Sequence, residues 1–116
     1  MSRAVRIEFE GAHYHVMARG VGRAPVFLDD EDRRDFLAIV GELVKGGAFD
    51  VHAFCLMPNH YHLLISTPHA CLSRWIRHVD GDYVRHFNFR HKRVGALWHG
   101  RYKAILVQDT GYILEP

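Results

Sequence analysis

Alternation of apolar and polar residues marks several short segments of the chain as β-strands. In residues 12–19 every second residue from Tyr14 to Ala18 is apolar, so His13 and His15 share the opposite face of an extended segment. Three further strands are predicted, over residues 49–57, 60–67 and 97–107. Pro58-Asn59 separates the second strand from the third, which predicts a hairpin.

Two other segments repeat their apolar residues every three or four positions, which predicts amphipathic helices. Asp29 is a suitable N-cap for the first, and Gly46-Gly47 ends it. The second helix is expected to run to about Phe89, and Asp109 could cap a short helical stub before Pro116. The apolar stripes are Phe36, Ile39, Val40, Leu43 and Val44 in the first helix, and Leu72, Ile76, Val79, Tyr83 and Phe87 in the second.

The predicted order is strand, helix, strand, strand, helix, strand, which is that of the α+β ferredoxin-like split-βαβ fold. Its antiparallel sheet is covered by helices on one face, and residues 12–19 and 60–67 form its two central strands. Both histidine pairs are therefore expected on the uncovered face. A chain of 116 residues with 48% hydrophobic content is enough for one domain, spanning residues 1–116.

Composition points to a soluble cytoplasmic protein with no membrane partner. Cys55 and Cys71 lie in apolar surroundings without CxxC spacing, so we expect buried free thiols in a reducing compartment. The N-terminal residues mix charges with single hydrophobic residues and do not resemble a signal peptide, and no apolar run approaches membrane-spanning length.

Histidines supply the first candidate chemistry. His60 and His62 share one face of the predicted strand 60–67, so their imidazoles could hold one divalent ion with positions left open for water or a phosphate oxygen. Ten histidines make chance pairs common, and His13-Tyr14-His15 forms a second one. An isolated pair is more often hydrogen-bonded or simply solvated, so spacing alone leaves metal binding open.

A run of positive charge supplies the second candidate chemistry. The formal net charge is only +2, but no Asp or Glu occurs from Tyr83 to Gln108, where cations alternate with aromatic residues. Such a mixture suits phosphate contact and base stacking, although Tyr83 and Phe87 belong to the core stripe and the remainder could be an ordinary solvated surface. The residues best placed for DNA contact are Arg19, Arg90, Lys92, Arg93, Trp98, Arg101 and Lys103.

Four segments together resemble a known family. Residues 15–20, 26–33, 53–64 and 97–103 are similar, in the correct order, to the one-tyrosine HUH class of single-strand DNA transposases. The similarity is greatest to the subgroup associated with repetitive extragenic palindromes, and within it residues 57–64 read Met-Pro-Asn-His-Tyr-His-Leu-Leu. The resemblance implies that His60 and His62 are the metal pair and that His13 and His15 are not.

The resemblance also implies a mechanism. A magnesium or manganese ion polarises a scissile phosphate in single-stranded or hairpin DNA, and a tyrosine forms a covalent 5′-phosphotyrosine. Family members are homodimers, and their nucleophile lies on a helix after the last strand. Tyr112 is the candidate there, but it matches an earlier tyrosine of that helix, so we expect the nucleophile and a third metal ligand beyond Pro116.

Two other functions are compatible with the residues themselves. One is a non-catalytic ferredoxin-like module whose sheet face stacks nucleic-acid bases, with the histidines contacting phosphate or packing. The other is a small metal-binding protein that uses both histidine pairs. Mutation of each pair separately distinguishes these from a transposase.

Overall fold

The computed structural model describes residues 11–68 and 71–107, and its strands form the predicted sheet. All neighbouring strands are antiparallel, in the order β2-β3-β1-β4, which confirms the ferredoxin-like fold with β1 and β3 at its centre. The elements are β1 His13–Arg19, a 3-10 turn Val21–Arg23, α1 Asp30–Lys45, β2 Asp50–Met57, β3 His60–Ser66, α2 Leu72–His91 and β4 Lys103–Val107.

The sheet has one face that packs against the helices and one open face. Along β1 and β3, buried residues alternate with half-exposed ones, so every second side chain enters the core. Tyr61 and Leu63 of β3 are fully buried there, as are Phe36 of α1 and Tyr83 of α2. Burying one such side chain contributes about 1.5–3 kcal/mol, so the periodicity alone determines which face the helices cover.

The two helices meet in an ionic cluster. Asp29 caps α1 as predicted, accepting a hydrogen bond from the Asp32 amide, and Asp32 is itself fully buried. The Asp32 carboxylate accepts hydrogen bonds from the Leu28 amide, the Arg90 guanidinium and His91 Nε2. A buried charge is tolerated only when paired in this way, so the cluster fixes the start of α1 against the end of α2.

A tight loop joins the end of β1 to the β2–β3 turn. The Gly20 amide donates to the Asn59 carbonyl at 2.8 Å, and the Val26 amide donates to the Pro58 carbonyl at the same distance. A Cβ on Gly20 would lie 2.2 Å from the Ala24 carbonyl oxygen, so a side chain there is excluded. The turn before His60 is therefore anchored to the first strand by backbone contacts.

The last strand is shorter than predicted. It begins at Lys103 rather than at residue 97, and Trp98 makes only an isolated bridge with Gly20. Gly100 adopts φ of +67°, which interrupts an extended run, and the Trp98 ring packs against Tyr61 instead of lying along the sheet. Helix α2 continues to His91, two residues past the predicted end.

The prediction of buried thiols was wrong. Cys55 is exposed because it lies on β2, an edge strand, opposite His62 on the open face. Cys71 is half-buried at the start of α2, and both thiols are free. None of the described helices is long and apolar enough to cross a membrane. Asp109 and the predicted C-terminal stub lie outside the described residues.

Candidate metal and DNA site

Strand register brings three histidines together on the open face. Met17 of β1 lies opposite His62 of β3, and Arg19 lies opposite His60. The rings of His60 and His62 have centroids 5.0 Å apart, and the His15 ring lies at the same distance from that of His62. The predicted pair is thus confirmed as neighbours on one face, with His15 reaching His62 diagonally across the two strands.

His60 is held by a chain of hydrogen bonds that ends on the backbone. Its Nδ1 lies 2.8 Å from Asn59 Oδ1, and Asn59 Nδ2 donates to the Arg23 carbonyl at 3.3 Å. Because that carbonyl can only accept, the Asn59 amide nitrogen must face it and the amide oxygen must face the ring. His60 therefore carries its proton on Nδ1, and its Nε2 presents a lone pair.

His62 is held by another imidazole. Its Nδ1 lies 2.9 Å from His15 Nε2. Partial burial lowers the pKa of His62, and the neighbouring His15 and His60 lower it further, so the ring is favoured in its neutral form. A neutral imidazole is the form that binds metal.

The other histidine of the His13-Tyr14-His15 pair lies on the same face but apart from His62. His13 stacks on His52 with ring centroids 5.2 Å apart, and His52 Nε2 lies 2.9 Å from Ser66 Oγ. These residues lie toward the opposite end of the open face from His60, since His13 is paired with Ser66. The two histidines of His13-Tyr14-His15 therefore have different surroundings.

A buried tyrosine bonded to a half-buried aspartate supports β3 from the core side of the sheet. Tyr61 lies between His60 and His62 but points into the core, where its hydroxyl donates to Asp80 Oδ1 at 2.7 Å. Burial raises the pKa of Asp80 to about 7, and burial likewise raises the pKa of Tyr61. Trp98 Nε1 donates to the Asp80 carbonyl, so the strand, α2 and the last loop meet at this point.

The donor set fits a divalent ion. Each ring of the pair has its Nδ1 within hydrogen-bond distance of a partner, so Nε2 is the one ring nitrogen of each that is left without a hydrogen-bond partner among the described contacts. Such outer partners are typical of metal-binding histidines. Within residues 11–68 and 71–107, no group of three or more His, Cys, Asp or Glu side chains is placed to hold a metal ion.

A shallow cationic cleft adjoins the pair. It lies at the end of β1 and the start of β4, and Arg19, which pairs with His60, belongs to it. Arg101 and Lys103 are exposed there, so three of the predicted DNA-contact residues converge. The lining residues are Met17, Ala18, Arg19, His99, Arg101 and Lys103.

Three other predicted DNA-contact residues are engaged inside the protein. The Arg90 guanidinium donates to Asp29 and to Asp32, and Arg93 donates to Asn88 Oδ1 and to the Ala96 carbonyl. Trp98 is half-buried and packs against Tyr61 and Tyr83. Lys92 is exposed, in the left-handed conformation that ends α2.

Sequence reasoning missed two residues of the site. The sequence predicts Asn59 only as a turn residue, and His15 only as a member of the second histidine pair. Their contacts depend on side-chain directions that periodicity does not reveal. Tyr112, the candidate nucleophile, lies outside the described residues.

Comparison with known proteins shows the family of the chain. The family described as "Transposase IS200 like" matches residues 8–114, nearly the whole chain. The chain belongs to the IS200-like transposase family. No curated protein matches the chain.

Two solved structures share the transposase fold. A REP-associated tyrosine transposase bound to a REP hairpin superimposes with a TM-score of 0.76 at 16% identity, covering 98% of this chain and 67% of the other. A candidate transposase from Deinococcus radiodurans superimposes with a TM-score of 0.68 at 20% identity, covering 97% and 92%. At these identities the likeness concerns the fold.

Proposed function

We propose that this transposase cuts and rejoins single-stranded DNA through a phosphotyrosine intermediate and requires magnesium or manganese. The observation that carries the proposal is the pairing of His60 with His62 on the open face, each with Nδ1 within hydrogen-bond distance of a partner. Family membership supports the transposase role, and the adjoining cationic cleft supports a nucleic-acid substrate.

Each described group has a distinct role in this scheme. His60 and His62 would hold the ion, which when bound would withdraw charge from a phosphate oxygen. Arg19, Arg101 and Lys103 neutralise the DNA backbone beside it. Among the described residues, α1 and α2 cover the other side of the sheet, so the open face leaves room there for an unpaired strand.

The covalent step belongs to a tyrosine that follows β4. Its hydroxyl oxygen forms a bond to phosphorus as the bond to the 3′-oxygen breaks, its proton passes to solvent, and the released 3′-oxygen takes up a proton. The energy of the broken bond is kept in the phosphotyrosine, so a 3′-hydroxyl can reverse the step on another strand. Tyr112 is the candidate in this sequence, and the family pattern favours a tyrosine further along.

The proposed partner is hairpin DNA, since one structural relative is described as bound to a REP hairpin. We further propose that the protein acts in the cytoplasm as a homodimer. Sedimentation of the intact protein with and without hairpin DNA measures the oligomeric state.

A covalent-adduct assay tests the reaction. The full natural protein is incubated with Mn²⁺ and a 3′-labelled single-stranded oligonucleotide carrying a hairpin, and label that stays with denatured protein reports the 5′-phosphotyrosine. We expect the natural protein to form the adduct. The His60→Ala/His62→Ala variant should lose both the adduct and Mn²⁺ binding. We expect Tyr112→Phe to retain the adduct, and its loss would identify Tyr112 as the nucleophile.

The same assay separates the alternatives. DNA binding without an adduct, unchanged in the double variant, would establish the non-catalytic nucleic-acid module instead. Mn²⁺ binding that survives in His60→Ala/His62→Ala but is lost in His13→Ala/His15→Ala would establish a metal-binding protein. His13→Ala alone is the matched control, because His13 shares the open face without contacting His62.

A further inference from the structure

The contact between His15 and His62 raises a question of proton placement. Two neutral imidazoles 2.9 Å apart share one hydrogen, which either His62 Nδ1 or His15 Nε2 donates. If His15 donates, His62 must carry its own hydrogen on Nε2, and that atom has no lone pair for a metal ion. If His62 donates, its Nε2 is free to bind.

The other member of the pair shows which arrangement suits a metal. His60 already carries its hydrogen on Nδ1, because the Asn59 oxygen that faces it can only accept. His60 and His62 can both ligate through Nε2 when His62 also carries its hydrogen on Nδ1. His15 must then act as an acceptor, with its own hydrogen on Nδ1.

We propose that His15 is a positioning residue that accepts a hydrogen bond from His62 Nδ1 and so selects the tautomer in which His62 Nε2 can bind metal. The role rests on the proposed function of the His60–His62 pair. His15 itself does not ligate the ion, because the nitrogen that faces the pair is occupied by His62. Its effect is to orient the ring and to strengthen the ligand, as outer hydrogen-bond partners of metal-bound histidines do.

The position of His15 makes this contact specific. Its strand partner is Leu64, and its ring reaches diagonally past Met17 to His62. His13, two residues earlier on the same face, stacks on His52 instead. The chain therefore offers a matched histidine that lacks the proposed role.

Two substitutions separate acceptor chemistry from packing. His15→Phe keeps a planar ring but has no acceptor, whereas His15→Gln can place an amide oxygen near the position of Nε2. Outer-shell partners typically change metal affinity 10- to 100-fold, so we expect Mn²⁺ affinity to fall by about that factor in His15→Phe and to return largely in His15→Gln. His13→Phe should bind as wild type does.

A measurement without metal reads the tautomer itself. In protein with ¹⁵N-labelled histidine, long-range ¹H–¹⁵N correlations distinguish a protonated from an unprotonated ring nitrogen. We expect His62 to be protonated on Nδ1 in the wild type and in His15→Gln, and the Nε2-protonated form to appear in His15→Phe. Dispersed spectra of each variant establish that it is folded.

The outcomes distinguish this role from the proposed function. Hydrogen on His62 Nε2 in the wild type, or wild-type Mn²⁺ affinity in His15→Phe, would overturn the role of His15. If the wild type binds no Mn²⁺ although His62 shows the expected tautomer, the function proposed for the pair fails while the hydrogen-bond assignment stands.

Discussion

At the scale of single residues, the site depends on groups that polarise or anchor the two histidines from opposite sides of the sheet. Asn59 and His15 act from the open face, and the Tyr61–Asp80 pair acts from the core. The histidine pair itself followed from alternation along β3, because residues two positions apart in a strand, such as His60 and His62, lie on the same face. The contacts of His15 did not follow from alternation, because they depend on strand register and on the direction of the ring. His13 lies on the same face and has different contacts.

Asp80 should make stability depend on pH. Its pKa is raised from 3.8 to about 7 by burial, so the folded state binds this proton more tightly than the unfolded state does. Its contribution is therefore most favourable below about pH 4 and is lost as pH rises toward 7. Asp80→Asn keeps an oxygen that accepts from Tyr61 but cannot ionise.

We expect Asp80→Asn to flatten this decline and to exceed the wild type in stability at pH 8 by about 2–4 kcal/mol, measured by urea unfolding between pH 4 and pH 8. Asp82→Asn, on a more exposed position of the same helix and paired with Arg85, is the control and should retain the wild-type dependence. A wild-type profile in Asp80→Asn would show that Asp80 does not cause the decline.

At the scale of elements, periodicity predicted both helices and their order with the strands, because each buries a continuous apolar stripe. Asp29 as N-cap also followed from the sequence. The ionic cluster did not follow from the sequence, because Arg90 and Asp29 are 61 positions apart. The sequence predicts Arg90 as a DNA contact and gives no sign of its partner in α1. The early start predicted for the last strand failed for a related reason, because Trp98 packs against distant aromatic rings.

Removing the buried acid of this cluster should loosen the helix pair. Asp32→Ala leaves the Leu28 amide, Arg90 and His91 without their shared acceptor. Since the loss of a buried charged partner is costly, we expect the free energy of unfolding to fall by about 3 kcal/mol in chemical denaturation.

Asp30→Ala is the control for that change. It lies in the same turn of α1 but forms an exposed pair with Arg33, so its effect should be about 0.5 kcal/mol or less. Equal effects of the two substitutions would mean that the cluster adds no more than a surface ion pair does.

At the scale of the whole molecule, the fold puts the proposed metal pair and the cationic cleft on the same side of the sheet. The helices occupy one face of the sheet, so the histidine pair and the cationic cleft share the other, joined by the pairing of Arg19 with His60. The fold class and its open face were predictable from element order alone. The sequence did not predict which cations converge on the cleft. Arg90 and Arg93 were equally good candidates, but their guanidinium groups donate to Asp32 and to the Ala96 carbonyl instead.

The cleft should bind DNA largely through its charges, and salt dependence measures this directly. Each phosphate contact on a single strand contributes about 0.7 to the slope of log affinity against log salt concentration. Arg101→Ala/Lys103→Ala removes two cations from the cleft, so we expect weaker binding of a single-stranded oligonucleotide and a slope smaller by about 1.4. Fluorescence anisotropy over a series of salt concentrations provides both values.

Arg34→Ala is the matched control for that measurement, because Arg34 is exposed on α1, in the helical layer that covers the other face of the sheet. It removes one positive charge from the protein as a whole but none from the cleft. If Arg34→Ala lowered the slope as much per charge as the double variant does, binding would reflect net charge alone. A selective effect of Arg101 and Lys103 would instead locate the DNA backbone beside His60 and His62, where the proposed cleavage requires it.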